Sequence, residues 1–305
     1  MAKSAFIFPG QGAQYVGMGK ELYDTSQIAK ETYKKANEAL GFDIAALCFE
    51  GPQEKLTATK NSQPAILVTS IAAYRVFNPQ YSKDATPTAC AGLSLGEYSA
   101  LVAAESISFE DAVRLVRQRG LFMEEASLEN PGGMAAIMGL DVNIVEEVTK
   151  EAGSEIANLN CPGQVVVSGS HPAVKKTIEL AKNKGAARCI PLEVSGPFHS
   201  SLMRNAAGRL KEQLDKVLFK APRIPFVSNV SANFESDIVS IKENLARQVN
   251  HRTLWELSVR RMAQGGVGEY YEIGPGRVLK GILRKIDRGL IVRNIEKPAD
   301  IPASS

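Results

Sequence analysis

Apolar residues in this chain fall into two rhythms. Residues 5–8 (Ala-Phe-Ile-Phe) form a continuous apolar run that stops at Pro9-Gly10-Gln11-Gly12, which predicts a buried strand ending in a glycine-rich turn. Helical spacing follows at 21–39 and 64–77, and 88–91 is a second short buried run, broken by Gly92. Strands alternating with helices predict an α/β layer architecture around a mostly parallel sheet. The rhythm then changes. Strands are predicted at 134–139, 156–159, 165–168 and 189–194, with helices at 142–151 and 172–184, the order β-α-β-β-α-β of a ferredoxin-like split unit. Residues 128–196 therefore read as a small insert, and 1–127 with 197–305 as one discontinuous larger domain. Beyond the insert the pattern predicts a helix at 201–217, a strand at 225–229, helices at 238–249 and 253–264, and a strand at 268–273. That last strand ends in a second tight turn, Gly274-Pro275-Gly276, and the tail from Lys297 reads as frayed.

Composition narrows the classes of function. Residues number 305, of which 44% are apolar and 23% charged, enough to bury a core without disulfides or a structural metal. A net charge of +3 is too small and too spread to mark a nucleic-acid binder. Cys48, Cys90, Cys161 and Cys189 lie far apart, with no pair at metal-ligand or redox spacing, which suits a reducing cytoplasm. No apolar run approaches the roughly 18 residues of a membrane span, and the N-terminus lacks the pattern of a signal peptide.

The chemistry-bearing residues emerge from this frame. Gly92-Leu93-Ser94-Leu95-Gly96 is a G-x-S-x-G sequence between a buried strand and the helix at 97–104, the context in which a strained turn exposes a serine hydroxyl. A serine needs a base, and the chain holds three histidines. His171 stands at a helix start and His251 in a polar junction between helices, both readily structural. His199 lies in the irregular loop Ser195-Gly196-Pro197-Phe198-His199, where the insert returns to the main domain, and ranks first. The helix at 108–126, opened by the N-cap signature Ser108-Phe109-Glu110-Asp111, contributes a further oddity. Arg119 falls inside its apolar arc with Ala112, Val116 and Met123. A guanidinium facing inward needs an anion. Either a protein carboxylate such as Glu97 or Glu124 supplies it, or a substrate carboxylate does.

In order and spacing, Phe8-Pro9-Gly10-Gln11-Gly12-Ala13-Gln14, Gln63-Pro64-Ala65, Gly92-Leu93-Ser94-Leu95-Gly96-Glu97-Tyr98, Arg119-Gly120, Gly196-Pro197-Phe198-His199 and Glu272-Ile273-Gly274-Pro275-Gly276 resemble the malonyl-CoA:acyl-carrier-protein transacylases of bacterial type II fatty acid synthesis. The resemblance runs from about residue 3 to about residue 290. It implies an α/β-hydrolase-like core carrying a ferredoxin-like subdomain, Ser94 as nucleophile and His199 as base. It also implies an oxyanion hole from the Gln11 and Leu95 N–H groups, Arg119 on the malonyl carboxylate, and the Gln248 carbonyl orienting the histidine. Gln63, Met123 and Phe198 are then expected to line the pocket, Phe198 resembling the variant that favours malonyl over methylmalonyl in related polyketide acyltransferases. Leu93 departs from the histidine that many relatives carry before the nucleophile. No cofactor or metal is expected, because thioester exchange is nearly isoenergetic. The implied partners are malonyl-CoA and an acidic acyl carrier protein, with Lys280, Arg284, Lys285 and Arg288, and also Arg204, Arg209 and Lys211, as candidate docking residues. A monomer is the expected state. A serine thioesterase, a polyketide acyltransferase and a non-catalytic carrier-binding module are the competing readings.

Overall fold

Both faces of the first apolar run are covered. The computed structural model describes residues 3–81 and 86–301, and in it Ala5, Phe6, Ile7 and Phe8 are fully buried in strand β1 (Lys3–Phe8). Strands buried on both faces carry unbroken apolar runs because helices cover each side of a parallel sheet. β1 is central. With β2 (Ala89–Gly92), β7 (Phe226–Val227), β8 (Phe234–Glu235), β9 (Val267–Ile273) and β10 (Ile291–Ile295) it forms a six-stranded sheet of order β10-β9-β1-β2-β7-β8, parallel except for β8.

Alternation along β1 divides the core. Phe6 and Phe8 face helices Thr59–Tyr81 and Phe109–Glu129, where Phe6 meets Tyr74, Phe77, Tyr81 and Tyr271 edge-on. Ala5 and Ile7 face Trp255, Val259, Leu279 and Leu283 of helices Trp255–Gln264 and Val278–Ile286. The second helix of the first layer starts where expected: the Ser108 hydroxyl accepts the Asp111 N–H at 3.1 Å.

A separate antiparallel sheet comprises β3 (Gly132–Met138), β4 (Glu155–Cys161), β5 (Gln164–Ser170) and β6 (Arg188–Pro191) in the order β4-β5-β3-β6. Helices Val142–Ala152 and His171–Asn183 pack against Ala135, Ile137, Val165 and Val167 on one face. The opposite face turns Met134, Met138 and Val166 into a cleft between the two sheets. Among the described residues an isolated bridge joins Thr253, just before helix Trp255–Gln264, to Asn158 of β4, and Thr253 exchanges backbone hydrogen bonds with Ala157 and Leu159 (2.8 and 2.9 Å).

Several boundaries differ from the sequence expectation. β6 ends at Pro191: beyond it the Leu192 N–H still bonds the Met134 carbonyl, but the Val194 N–H turns back to the Leu192 oxygen instead of continuing the ladder. The helix expected from 201 begins as a 3-10 turn, Ser201–Met203, before the α-helix Arg204–Lys216. Only Phe226–Val227 of 225–229 is strand, since Ser228 and Asn229 turn toward the nucleophile loop. The tail is not frayed at its start: the Asp300 carboxylate accepts the N–H groups of Glu296 and Lys297. Its final residues, 302–305, lie outside the described residues.

Candidate active site

Ser94 owes its exposure to a turn that only glycines permit. It leaves β2 at φ +50° and enters helix Gly96–Ala103 two residues later. A Cβ on Gly92 would lie 1.9 Å from the Gly96 carbonyl carbon, and one on Gly96 would lie 2.2 Å from the Phe8 oxygen. No side chain fits either gap. Asn229 braces the turn from the next strand: its Oδ1 accepts the Ser94 N–H at 2.7 Å and its Nδ2 donates to the Gly92 carbonyl at 2.8 Å.

His199 arrives from the opposite side on another left-handed residue, φ +58°. Its Nδ1 lies 2.6 Å from the Gln248 carbonyl oxygen and its Nε2 lies 2.9 Å from Ser94 Oγ. A carbonyl only accepts, so the proton sits on Nδ1 and Nε2 is free to take the serine proton. Burial, followed by the nearby Arg119 cation, holds the imidazole pKa down at about 4, although the bond to Gln248 pulls the other way.

Arg119 is 1% exposed. One terminal nitrogen donates to Gln63 Oε1 at 2.6 Å, and the other to Gln248 Oε1 at 2.9 Å and Ser94 Oγ at 3.0 Å. Neither carboxylate suggested as its partner pairs with it. Glu124 takes Lys60 at 2.9 Å, while Glu97 accepts the Asn229 N–H and the Gln248 side-chain amide. Burial lowers the guanidinium pKa and raises that of Glu97 to about 8. A buried cation held on neutral acceptors, with Nε unpartnered, has the charge and free donor to take an anion beside the nucleophile.

These groups open on a cleft of about 820 Å³ between the two sheets. Met123, Phe198, Gln11, Leu93 and Lys285 are on its wall. Gln63 is not: it is fully buried behind Arg119. The Gly10-Gln11 backbone presses on the nucleophile turn, a Cβ on Gly10 falling 2.5 Å from the Leu93 oxygen. Among the described residues neither the Gln11 nor the Leu95 N–H is paired. His171 and His251 lie outside the cleft. Arg284 and Arg288 are exposed and Lys280 is half-buried, but Lys285 donates to Gln164 at 2.9 Å inside the cleft mouth. Arg209 and Lys211 are engaged with Glu125 and Asp215, and Arg204 is exposed. Asn229 was missed from sequence, where it reads only as the last residue of the strand expected at 225–229. Among the described residues no cluster of three or more His, Cys, Asp or Glu is placed to hold a metal, and no helix is long and apolar enough to cross a membrane.

A strained serine, an imidazole on its hydroxyl and a buried cation beside both define an acyl-transfer site, and a model of the family described as acyl transferase domain matches residues 5–275. The chain is 48% identical to the malonyl CoA-acyl carrier protein transacylase of Bacillus subtilis, over 99% of this chain and 96% of that protein. The crystal structure of an acyl carrier protein S-malonyltransferase from Vibrio cholerae superposes with a TM-score of 0.94 at 40% identity, covering 98% of each chain. A malonyl-transacylase in complex with its type II PKS acyl-carrier protein superposes with a TM-score of 0.94 at 38% identity, covering 98% of this chain and 97% of that one. The chain belongs to the malonyl CoA-acyl carrier protein transacylases.

Proposed function

We propose that this chain is an acyl-carrier-protein S-malonyltransferase: it moves malonyl from malonyl-CoA to the phosphopantetheine thiol of acyl carrier protein through a malonyl ester on Ser94. The observation that carries the reading is the convergence on one oxygen, with His199 Nε2 at 2.9 Å and Arg119 at 3.0 Å from Ser94 Oγ. Arg119 pairs with the malonyl carboxylate, which leaves the thioester carbonyl over Ser94. His199 takes the hydroxyl proton as Oγ attacks, and the imidazolium then protonates the departing CoA thiolate. The tetrahedral oxyanion rests on the Gln11 and Leu95 N–H groups, each worth about 3 kcal/mol in sites of this kind. The carrier thiol repeats the cycle in reverse, so the kinetics are ping-pong.

Supporting features extend beyond the reacting atoms. Phe198, 4% exposed beside His199, narrows the space for an α-substituent and favours malonyl over methylmalonyl. Lys285, exposed on the cleft wall, and Lys280, Arg284 and Arg288 on the same stretch of chain suit an acidic carrier. All the groups come from one chain, so the reading needs no second copy, and it places the reaction in the cytoplasm. We read the parallel sheet, residues 1–127 and 197–305, as an α/β-hydrolase-like core, and 128–196 as a ferredoxin-like subdomain; the strand order β4-β5-β3-β6 supports the latter. A thioesterase has no use for a buried guanidinium at its nucleophile. The experiment is incubation of labelled malonyl-CoA with enzyme and holo carrier protein. Label on the carrier is expected, and release of most label as free malonate overturns the proposal.

A further inference from the structure

Glu97 is a fully buried carboxyl to which the reaction above gives no task. It stands in the first turn of helix Gly96–Ala103, behind the cleft rather than on its wall. Its Oε1 accepts the Asn229 N–H, and its Oε2 accepts the Gln248 side-chain amide. These two partners hold every reacting group. Asn229 clamps the nucleophile turn through the Ser94 N–H and the Gly92 carbonyl. Gln248 donates through Nε2 to the Ser94 carbonyl at 2.9 Å, accepts Arg119 on Oε1 at 2.9 Å, and accepts His199 on its main-chain oxygen.

A glutamine amide has a donor end and an acceptor end, and its neighbours decide which faces which. Arg119 only donates. On the other side, Glu97 offers acceptor oxygens, so Nε2 turns to the carboxyl and Oε1 is left for the guanidinium. Reversed, the amide would set two donors against each other at Arg119. The arrangement also keeps the acid one residue away from the cation. A direct Glu–Arg pair would satisfy the guanidinium and compete with an incoming carboxylate.

We propose that Glu97 is a positioning residue for malonyl recognition, acting through the side-chain amide of Gln248 and the seat of Asn229 to hold Arg119 on neutral acceptors beside Ser94. The inference rests on the roles proposed above for Ser94, His199 and Arg119. Glu97 thereby governs selection of a carboxylated acyl group that it never touches.

The test is a competition in one tube between equal concentrations of malonyl-CoA and acetyl-CoA, read as the ratio of the two adducts on Ser94 by mass spectrometry. A ratio is independent of how much enzyme is folded, so a destabilised variant still reports. Glu97→Gln keeps size but replaces one acceptor with a donor, and the malonyl-to-acetyl ratio is expected to fall about tenfold to a hundredfold, the range for one hydrogen bond to a charged group. Gln248→Met should give a similar fall, and the double variant should fall no further than the larger single effect. An unchanged or raised ratio in Glu97→Gln overturns the proposal, as do independent, multiplying effects in the double variant. Wild-type enzyme that forms no adduct on Ser94, or shows no malonyl preference, would instead sink the underlying site assignment.

Discussion

His199 must be neutral to accept the serine proton, and its surroundings place the acid limit of activity far from that of ordinary imidazole. Burial and Arg119 hold its pKa at about 4, against 6.5 for the free side chain. Acylation of Ser94 should therefore keep its plateau through pH 6 and 5 and reach half near pH 4. Arg119 accounts for part of this. Its nitrogen and His199 Nε2 share contact with Ser94 Oγ, which puts the two charges no more than about 6 Å apart. At an effective dielectric near 20 a separation of about 6 Å corresponds to a repulsion of roughly 3 kcal/mol. Burial is nevertheless the larger cause of the lowering, so Arg119 supplies less than half of it and Arg119→Met should move the limb up by about one pH unit. The assay is single-turnover acylation by acetyl-CoA after a pH jump from 7.5. The acetyl group carries no carboxylate to titrate, and the jump reads the enzyme before it unfolds. The same group also affects stability. Its folded pKa lies below its unfolded one, so the unfolded chain binds the extra proton between pH 6.5 and 4. The contribution is complete above 6.5 and falls by roughly 3 kcal/mol as pH drops through that window, measurable by urea unfolding. A wild-type limb at 6.5, or one that Arg119→Met leaves in place, would refute the electrostatic account.

Other consequences are simpler to read. Ser94→Ala should abolish the acyl adduct while the melting temperature stays within about 3 °C, because little packing is lost. Arg119→Ala should cost malonyl transfer about a hundredfold or more and acetyl transfer far less, compared as kcat/KM; equal losses would make the arginine structural. Gly96→Ala should destabilise by about 3 kcal/mol or more, since its methyl lands on the Phe8 carbonyl; a soluble, fully active variant with an unchanged denaturation midpoint would contradict that. Reversing charge at Lys280, Arg284 and Arg288 together should raise KM for the carrier protein about tenfold, more at low salt than at high, with malonyl-CoA acylation unaffected.

How far the site could be read from sequence depends on how local each signal is. Ser94 announces itself because the glycines that allow its turn are two residues away on either side. Arg119 is legible from periodicity, a cation within an apolar helical arc. His199 emerges because only two other histidines compete. Gln63, Asn229 and Glu97 are different: each is an ordinary polar residue in sequence, and its partner arrives from more than fifty positions away. The same holds for the fold. β1 was plain from an unbroken apolar run, whereas β10 passed unread because Arg293 and Asn294 interrupt it; Arg293 points to solvent from the sheet edge and Asn294 donates to buried Glu272.

The bridge at Thr253 links the cleft wall to the histidine's anchor. It fastens β4, which helps wall the cleft, to the chain five residues beyond Gln248, whose carbonyl aims the imidazole. Spreading the sheets to admit a bulkier acyl chain would pull on that carbonyl and swing Nε2 away from the hydroxyl.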